Sequence, residues 1–195
     1  MLKSKPLLAT NIDDLLIKHE AFSEPHKTVW AELIQKTGNK DLAQWIGKKD
    51  YFIGVNLAMD QLMPEATREE KTLQVRTWYQ EAVIKYIRNN PHCIDRQIAK
   101  RLKQLKIRYQ LVLLTSNTKK YISRILSSAG LSGLYDAVIA SETEQEPKKA
   151  DLVETLFTKY GKPEYYLTGK EDTETNEFFI KRKVKVITPK QIYSI

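Results

Sequence analysis

Four short stretches of this sequence place reactive side chains beside apolar runs. Asn11, Asp13 and Asp14 follow Pro6–Thr10, and Thr115, Ser116 and Asn117 close the run that starts at Tyr109. Lys148 and Lys149 open a segment carrying Leu152, Val153, Leu156 and Phe157. Lys170, Glu171, Asp172 and Glu174 follow Tyr165–Thr168. Carboxylates can move protons or hold a divalent cation, whereas hydroxyls and ammonium groups can hold an anion. Each stretch also has a plain structural explanation. Asp13 fits a loop or helix cap, and Thr115 fits a strand-end turn. Lys148 and Lys149 fit a solvated helix start, and the acids at 171–174 fit a first helical turn facing its dipole.

The elements that would position these groups follow from the apolar pattern. Pro6–Thr10, Tyr109–Thr115, Tyr135–Ala140, Tyr165–Thr168 and Val184–Thr188 predict five strands, the second apolar enough to be buried on both faces. Thr118–Ala129, Lys149–Tyr160 and Thr173–Arg182 predict helices between the last four, the first two ending at Gly130 and Gly161. Strands alternating with such helices predict an α/β fold, a Rossmann-like parallel five-stranded sheet with right-handed crossovers. Between Lys18 and Cys93 the pattern is helical: Lys27–Thr37, Lys40–Ile46, a piece around Asn56–Leu62, and Thr67–Asn89. Thr67 with Glu70 predicts a capping box, and Asn89-Asn90-Pro91 ends the last helix. The expected organisation is a core of residues 1–17 and 93–195 with a helical cap, 18–92, inserted after the first strand. Ligands of open α/β sheets bind at the carboxyl ends of the strands, which is where the four reactive stretches fall.

Composition narrows the function classes. The 195 residues are 42% hydrophobic, enough to build a core. A single cysteine, Cys93, forbids an internal disulfide and fits a reducing compartment. The beginning, MLKSKPLLATNIDD, has no signal-peptide pattern, and no apolar stretch approaches the roughly 20 residues of a membrane span. A cytoplasmic protein without a membrane partner is expected. Neither GxGxxG nor GxxxxGK[ST] occurs, which disfavours the common nucleotide loops. His19, His26 and His92 are scattered without companion ligands at metal spacing, and no GxSxG elbow surrounds Ser116.

The formal charge of +8 has one address. Arg96–Tyr135 holds nine basic residues and no acid, leaving 23 basic against 24 acidic side chains elsewhere. Such a segment can face nucleic acid. However, Ile94, Ile98, Leu102 and Leu105 recur at helical spacing with the cations between them, and no aromatics interleave. A solvated helix face is therefore the favoured reading, and nucleic acid is disfavoured as a partner.

Together the four stretches resemble the motifs of the haloacid dehalogenase-like superfamily, in its phosphatase-like branch with a helical cap after the first strand. T-N-I-D-D-L-L (Thr10–Leu16) resembles the first motif, Asp-x-Asp-x-Thr after a strand. L-V-L-L-T-S-N (Leu111–Asn117) resembles the second, E-P-K-K-A-D-L (Glu146–Leu152) the third, and Y-L-T-G-K-E-D-T-E (Tyr166–Glu174) the fourth. Leu126–Ser141 also resembles that family's helix–strand connection, so the likeness runs the length of the chain. It implies phosphoryl transfer from a phosphorylated small molecule with Mg²⁺. Asp13 would be the acid/base. Thr115, Ser116, Asn117 and one of Lys148 and Lys149 would hold phosphate, and Asp13, Asp172 and Glu174 would be the candidate metal ligands.

The sequence departs from the pattern at three places. Asn11 stands at the nucleophile position, Leu15 at the threonine, and Lys170 at the metal-binding aspartate. A carboxamide is a poor nucleophile and offers Mg²⁺ only a neutral oxygen. Impaired or lost phosphatase activity is the leading expectation, the fold being kept to bind a phosphorylated small molecule or a partner, with the Lys170 ammonium taking the metal's place beside Asp13. An active phosphohydrolase stays open as an alternative. In it Asp13 or Asp14 attacks, and Glu171, Asp172 or Glu174 holds Mg²⁺. A nucleic-acid-binding protein using 96–135 stays open as a second alternative. Trp45, Tyr51, Phe52 and Asn56 are the cap residues expected to shape the substrate pocket.

Overall fold

The run Leu111–Thr115 is buried on both faces, as a central strand of a parallel sheet must be. In the computed structural model, which describes residues 5–48, 50–142, 149–169 and 173–195, it belongs to β2 (Gln110–Thr118). The other strands are β1 (Leu7–Thr10), β3 (Ala137–Ser141), β4 (Tyr165–Leu167) and β5 (Lys185–Ile187). All pair in parallel, in the order β3-β2-β1-β4-β5, so the expected five-stranded sheet is present. Burial follows this order. β1 is buried throughout at the centre, whereas β5 at the edge buries only Ile187 fully.

Strand periodicity divides the core. Leu7, Ala9, Val112 and Leu114 share one face with Leu152, Val153 and Leu156 of α6 (Lys149–Tyr160) and Phe179 of α7 (Thr173–Lys181). Tyr166 stacks on Phe179 with ring centroids 4.1 Å apart. α4 (Arg96–Leu105) and α5 (Lys119–Ser128) bury the apolar stripes expected of them, Ile98, Leu102 and Leu105 in α4 and Tyr121, Ile122, Ile125 and Leu126 in α5.

Two compact units result: 1–19 with 91–195, carrying the sheet, and 20–90, all helical. The helical unit contains α1 (Glu20–Thr37), a 3₁₀ turn (Lys40–Trp45), α2 (Tyr51–Leu62) and α3 (Arg68–Asn89). α1 begins seven residues before the expected Lys27. Pro25 reads as a helix start, yet Ala21, Pro25, Val29, Trp30 and Leu33 form one continuous buried stripe. Burial of that stripe outweighs the helical hydrogen bond that proline cannot donate. α2 likewise starts earlier than the piece around Asn56, and its Gly54 lies flat under Trp45, where a Cβ would come within 2.4 Å of the indole. The capping box forms as expected. The Thr67 hydroxyl accepts from the Glu70 amide at 3.3 Å, and the Glu70 carboxylate accepts from the Thr67 amide at 2.7 Å.

Among the described residues no helix is long and apolar enough to cross a membrane.

Candidate functional site

β1 and β4 are neighbours, so the loops at their carboxyl ends meet. Asn11 follows β1 directly. Its amide donates to the Leu167 carbonyl at 3.2 Å, continuing the ladder one residue past the strand. Its carboxamide is engaged at both ends. Nδ2 donates to the Thr168 hydroxyl at 3.1 Å, and Oδ1 accepts from the Gly169 amide at 3.3 Å. An amide N–H can only donate, so the Gly169 contact fixes which end of the carboxamide faces the β4 loop.

Sterics tighten the same junction. A Cβ on Gly169 would lie 2.0 Å from the carbonyl carbon and oxygen of Asp14 and 2.2 Å from the Leu15 nitrogen. No side chain fits there. The loop that presses on Gly169 is itself a tight turn: the amides of Leu15, Leu16 and Ile17 all converge on the Ile12 carbonyl. Asp14 occupies the left-handed region at φ +53°, a conformation aspartate tolerates better than most residues. Its Oδ1 accepts from the His19 amide at 2.7 Å, which turns the carboxylate onto its own loop. Leu15, Leu16 and Ile17 are anchored in the core. Behind the loop, buried Thr10 shares a 2.8 Å hydrogen bond with the Tyr135 hydroxyl. Burial pushes the Tyr135 phenol well above its usual range, so it stays protonated.

β2 supplies the third wall. Leu114 pairs with Ile139 but Thr118 pairs with Ser141, so the strand bulges at 115–117. A bulge re-aims the side chains it carries. The Thr115 hydroxyl oxygen accepts from both the main-chain amide and the Nδ2 of Asn117, each at 3.2 Å. With its acceptor capacity used twice, its one proton is left to donate to another group. The strand runs three residues beyond its expected end because pairing resumes after the bulge, at Thr118, whose hydroxyl then caps α5 by accepting from the Tyr121 amide.

These walls enclose a cavity of about 150 Å³. Asn11, Asp13, Thr115, Ser116 and Asn117, all singled out from the sequence, line it together. Leu152, Tyr166 and Thr175 also line it, and sequence reasoning missed them. Leu152 and Tyr166 read as core by their apolar spacing, and both are buried. Thr175 is 3% exposed, whereas its neighbour Glu174, the expected metal ligand, is exposed and does not line the cavity. Helical geometry explains the exchange, because adjacent residues point about 100° apart and only one of the two faces the cavity. Leu15, expected to alter the site, is 2% exposed and outside the lining. Lys148, Lys170, Glu171 and Asp172 lie outside the described residues, as does the side chain of Lys149.

The fit of Mg²⁺ can be tested on the donors present. Mg²⁺ takes six oxygens and is usually held through one or two carboxylates. The Asn11 oxygen is neutral and already accepts the Gly169 amide. Asp13 is the sole carboxylate among the described residues lining the cavity. No group of three His, Cys, Asp or Glu side chains among the described residues comes together to hold a metal. The described donor set does not fit Mg²⁺.

No protein-family model matches the chain, and no curated protein matches it by sequence. Solved structures match it in fold. A haloacid dehalogenase-like hydrolase of Streptococcus pneumoniae aligns with a TM-score of 0.56 at 14% identity, over 99% of each chain. A protein assigned as a phosphatase in Clostridium difficile aligns at 0.60 and 14% identity, over 95% of this chain and 85% of that one. A Bacillus subtilis protein assigned as a haloacid dehalogenase hydrolase, solved with magnesium bound, aligns at 0.57 and 13% identity, over 94% and 88%. The chain has the haloacid dehalogenase-like fold. Identities this low speak to the fold alone.

Proposed function

We propose that this chain uses a haloacid dehalogenase-like core to bind a phosphorylated small molecule, and that its phosphatase chemistry is lost or strongly impaired. The observation that carries the reading is the Asn11 carboxamide. It lines the cavity, is neutral, and is tied at both ends to Thr168 and Gly169; the motif resemblance gives it the nucleophile's place. What remains is an anion pocket. Thr115 has a proton to donate, Ser116 adds a hydroxyl, and the lysines at 148 and 149 precede or open α6 beside it in sequence. Among the described residues Asp13 is the one acid lining the cavity, and it would face the ester oxygen of the ligand or accept from a donor group of the ligand. Asp14 is a poor substitute nucleophile, because its carboxylate accepts from the His19 amide and it does not line the cavity. By its place in the chain, between β1 and β2, the helical unit is the cap of such a fold. A single cysteine, which can form no internal disulfide, fits work in a reducing cytoplasm.

The test is a calorimetric titration with phenylphosphonate, an unhydrolysable monoester mimic. The parent chain binds, and Thr115→Val weakens binding by about 10- to 100-fold, the worth of one hydrogen bond to a charged group. Equal affinities for parent and variant would overturn the assignment.

A further inference from the structure

The parallel sheet gathers all strand beginnings on the edge opposite the candidate site, and that edge is cationic. Lys5 precedes β1, Arg108 precedes β2, Lys162 precedes β4, Lys183 precedes β5, and Lys185 is its first residue. All five side chains are exposed. Among the described residues none of them forms an ion pair, although the Lys5 ammonium donates to the Lys106 carbonyl at 2.7 Å; nearby, Lys106 pairs with Asp136 at 3.0 Å, Lys181 with Glu177 at 3.4 Å, and Arg182 with Glu154. At the strand beginnings themselves the acids are Asp136, paired with Lys106, and Glu164.

Three features show that the row is held in place. Main-chain bonds stitch the edge together: the Gln110 amide to the Pro6 carbonyl, Glu164 to Leu7, and Lys185 to Glu164. Two cations rest on rings, Arg108 over Tyr109 at 5.7 Å and Lys185 over Tyr165 at 5.6 Å, and the two rings meet edge-on at 6.0 Å. Lys183, two residues past the end of α7, is fixed by its amide, which donates to the Ile180 carbonyl at 2.8 Å, and sits at φ +57°, a left-handed position where glycine is the cheap residue.

We propose that this edge binds single-stranded nucleic acid, with Lys5, Arg108, Lys162, Lys183 and Lys185 tracking its phosphates. A row of cations running from β2 to β5 matches a linear polyanion, and the ring of Tyr160, exposed at the end of α6 between Lys159 and Lys162, offers a face for base stacking. The row is distinct from the basic segment expected from sequence: of the five cations only Arg108 belongs to Arg96–Tyr135. Two cations of that segment serve the fold. Arg96 donates to the Ala129 carbonyl at the end of α5, and Lys106 to the Gly133 carbonyl. A lipid surface fits less well. The apolar side chains exposed here, Ile107 and Ile180, belong to separate elements, the turn before β2 and α7. They make no continuous apolar face.

The experiment is fluorescence anisotropy with a labelled oligouridine across a salt series. Five phosphate contacts give a slope of log K against log salt of about −3.5, and so about a 100-fold loss of affinity between 50 and 200 mM salt. Arg108→Glu with Lys185→Glu weakens binding at least about tenfold and flattens the slope to about −2. Lys100→Glu with Lys103→Glu, on the outer face of α4, leaves affinity within about twofold because they lie off the row. Lys183→Gly with Lys162→Gln guards against misfolding, since Lys183→Gly relieves the left-handed strain while removing a cation. It weakens binding without lowering the thermal midpoint. The proposal is overturned if the α4 pair weakens binding as much as the edge pair, or if neither edge variant weakens it. Tighter retention on phosphatidylserine vesicles than on oligouridine would also overturn it, in favour of a membrane.

Discussion

Changing Asn11 and Lys170 together to aspartate switches on Mg²⁺-dependent hydrolysis of p-nitrophenyl phosphate, raising turnover over the parent chain by on the order of 100-fold. That is the size of effect lost when one preorganised charge-stabilising group is taken from an active site. The junction around Asn11 accepts the change. Asn11→Asp is isosteric, and an aspartate oxygen still accepts the Gly169 amide now held at 3.3 Å. At the other end the Thr168 hydroxyl, which accepts from Nδ2 at 3.1 Å, can turn its own proton toward the new oxygen. The carboxylate then stands in the cavity with Asp13 and the Thr115 hydroxyl. Lys170→Asp acts at a residue outside the described ones, and the motif resemblance is its ground. Asn11→Asp alone gains less, because the cation at 170 stays. The measurement is nitrophenolate release with and without Mg²⁺. A folded double variant that binds phenylphosphonate yet hydrolyses no faster than the parent would contradict this account of the site.

Gly169→Ala collapses the site from a single methyl group. Its Cβ would lie 2.0 Å from the Asp14 carbonyl carbon and oxygen, and main chain cannot swing aside as a side-chain tip can. Relief requires the β1 and β4 loops to part, which breaks both bonds of the Asn11 carboxamide and moves Asp13 off its wall. Overpacking of this kind costs about 2–3 kcal/mol, or a fall in Tm of roughly 5–10 °C for a chain of this size. Phenylphosphonate binding should fall with it. Gly133→Ala is the control. Gly133 has φ +72° but open space around it, so the cost is only the backbone one, about 1 kcal/mol, with binding intact. Differential scanning fluorimetry with the phenylphosphonate titration separates the two. Equal midpoints for both variants would mean that the loops are not pressed together at Gly169.

Much of this arrangement is legible in the residues. The five strands appear as apolar runs, and their alternation with α5, α6 and α7 dictates a parallel sheet. Thr115–Asn117 and Asn11–Asp13 are located by strand ends alone, and they line one cavity. Other features are invisible to periodicity. The bulge at 115–117 depends on pairing with β3, and the early start of α1 depends on burial of Pro25, a residue that locally argues for a boundary. Thr175 carries no charge to attract notice, whereas Glu174 beside it does. The cationic edge is scattered through the chain from Lys5 to Lys185 and exists only once the sheet is assembled. The close approach of Asp14 to Gly169 likewise leaves no mark on the local sequence.

We propose an anion pocket that works without Mg²⁺. Its most direct measurement is a titration of the uniformly ¹⁵N-labelled parent chain with phenylphosphonate, first in EDTA and then in excess Mg²⁺, followed by amide shifts. The amides of Asn11, Ser116, Asn117 and Gly169 should move, with the same affinity in both buffers and no phosphate release from p-nitrophenyl phosphate in either. Binding that appears only with Mg²⁺, shifts confined to other residues, or turnover by the parent chain would contradict it.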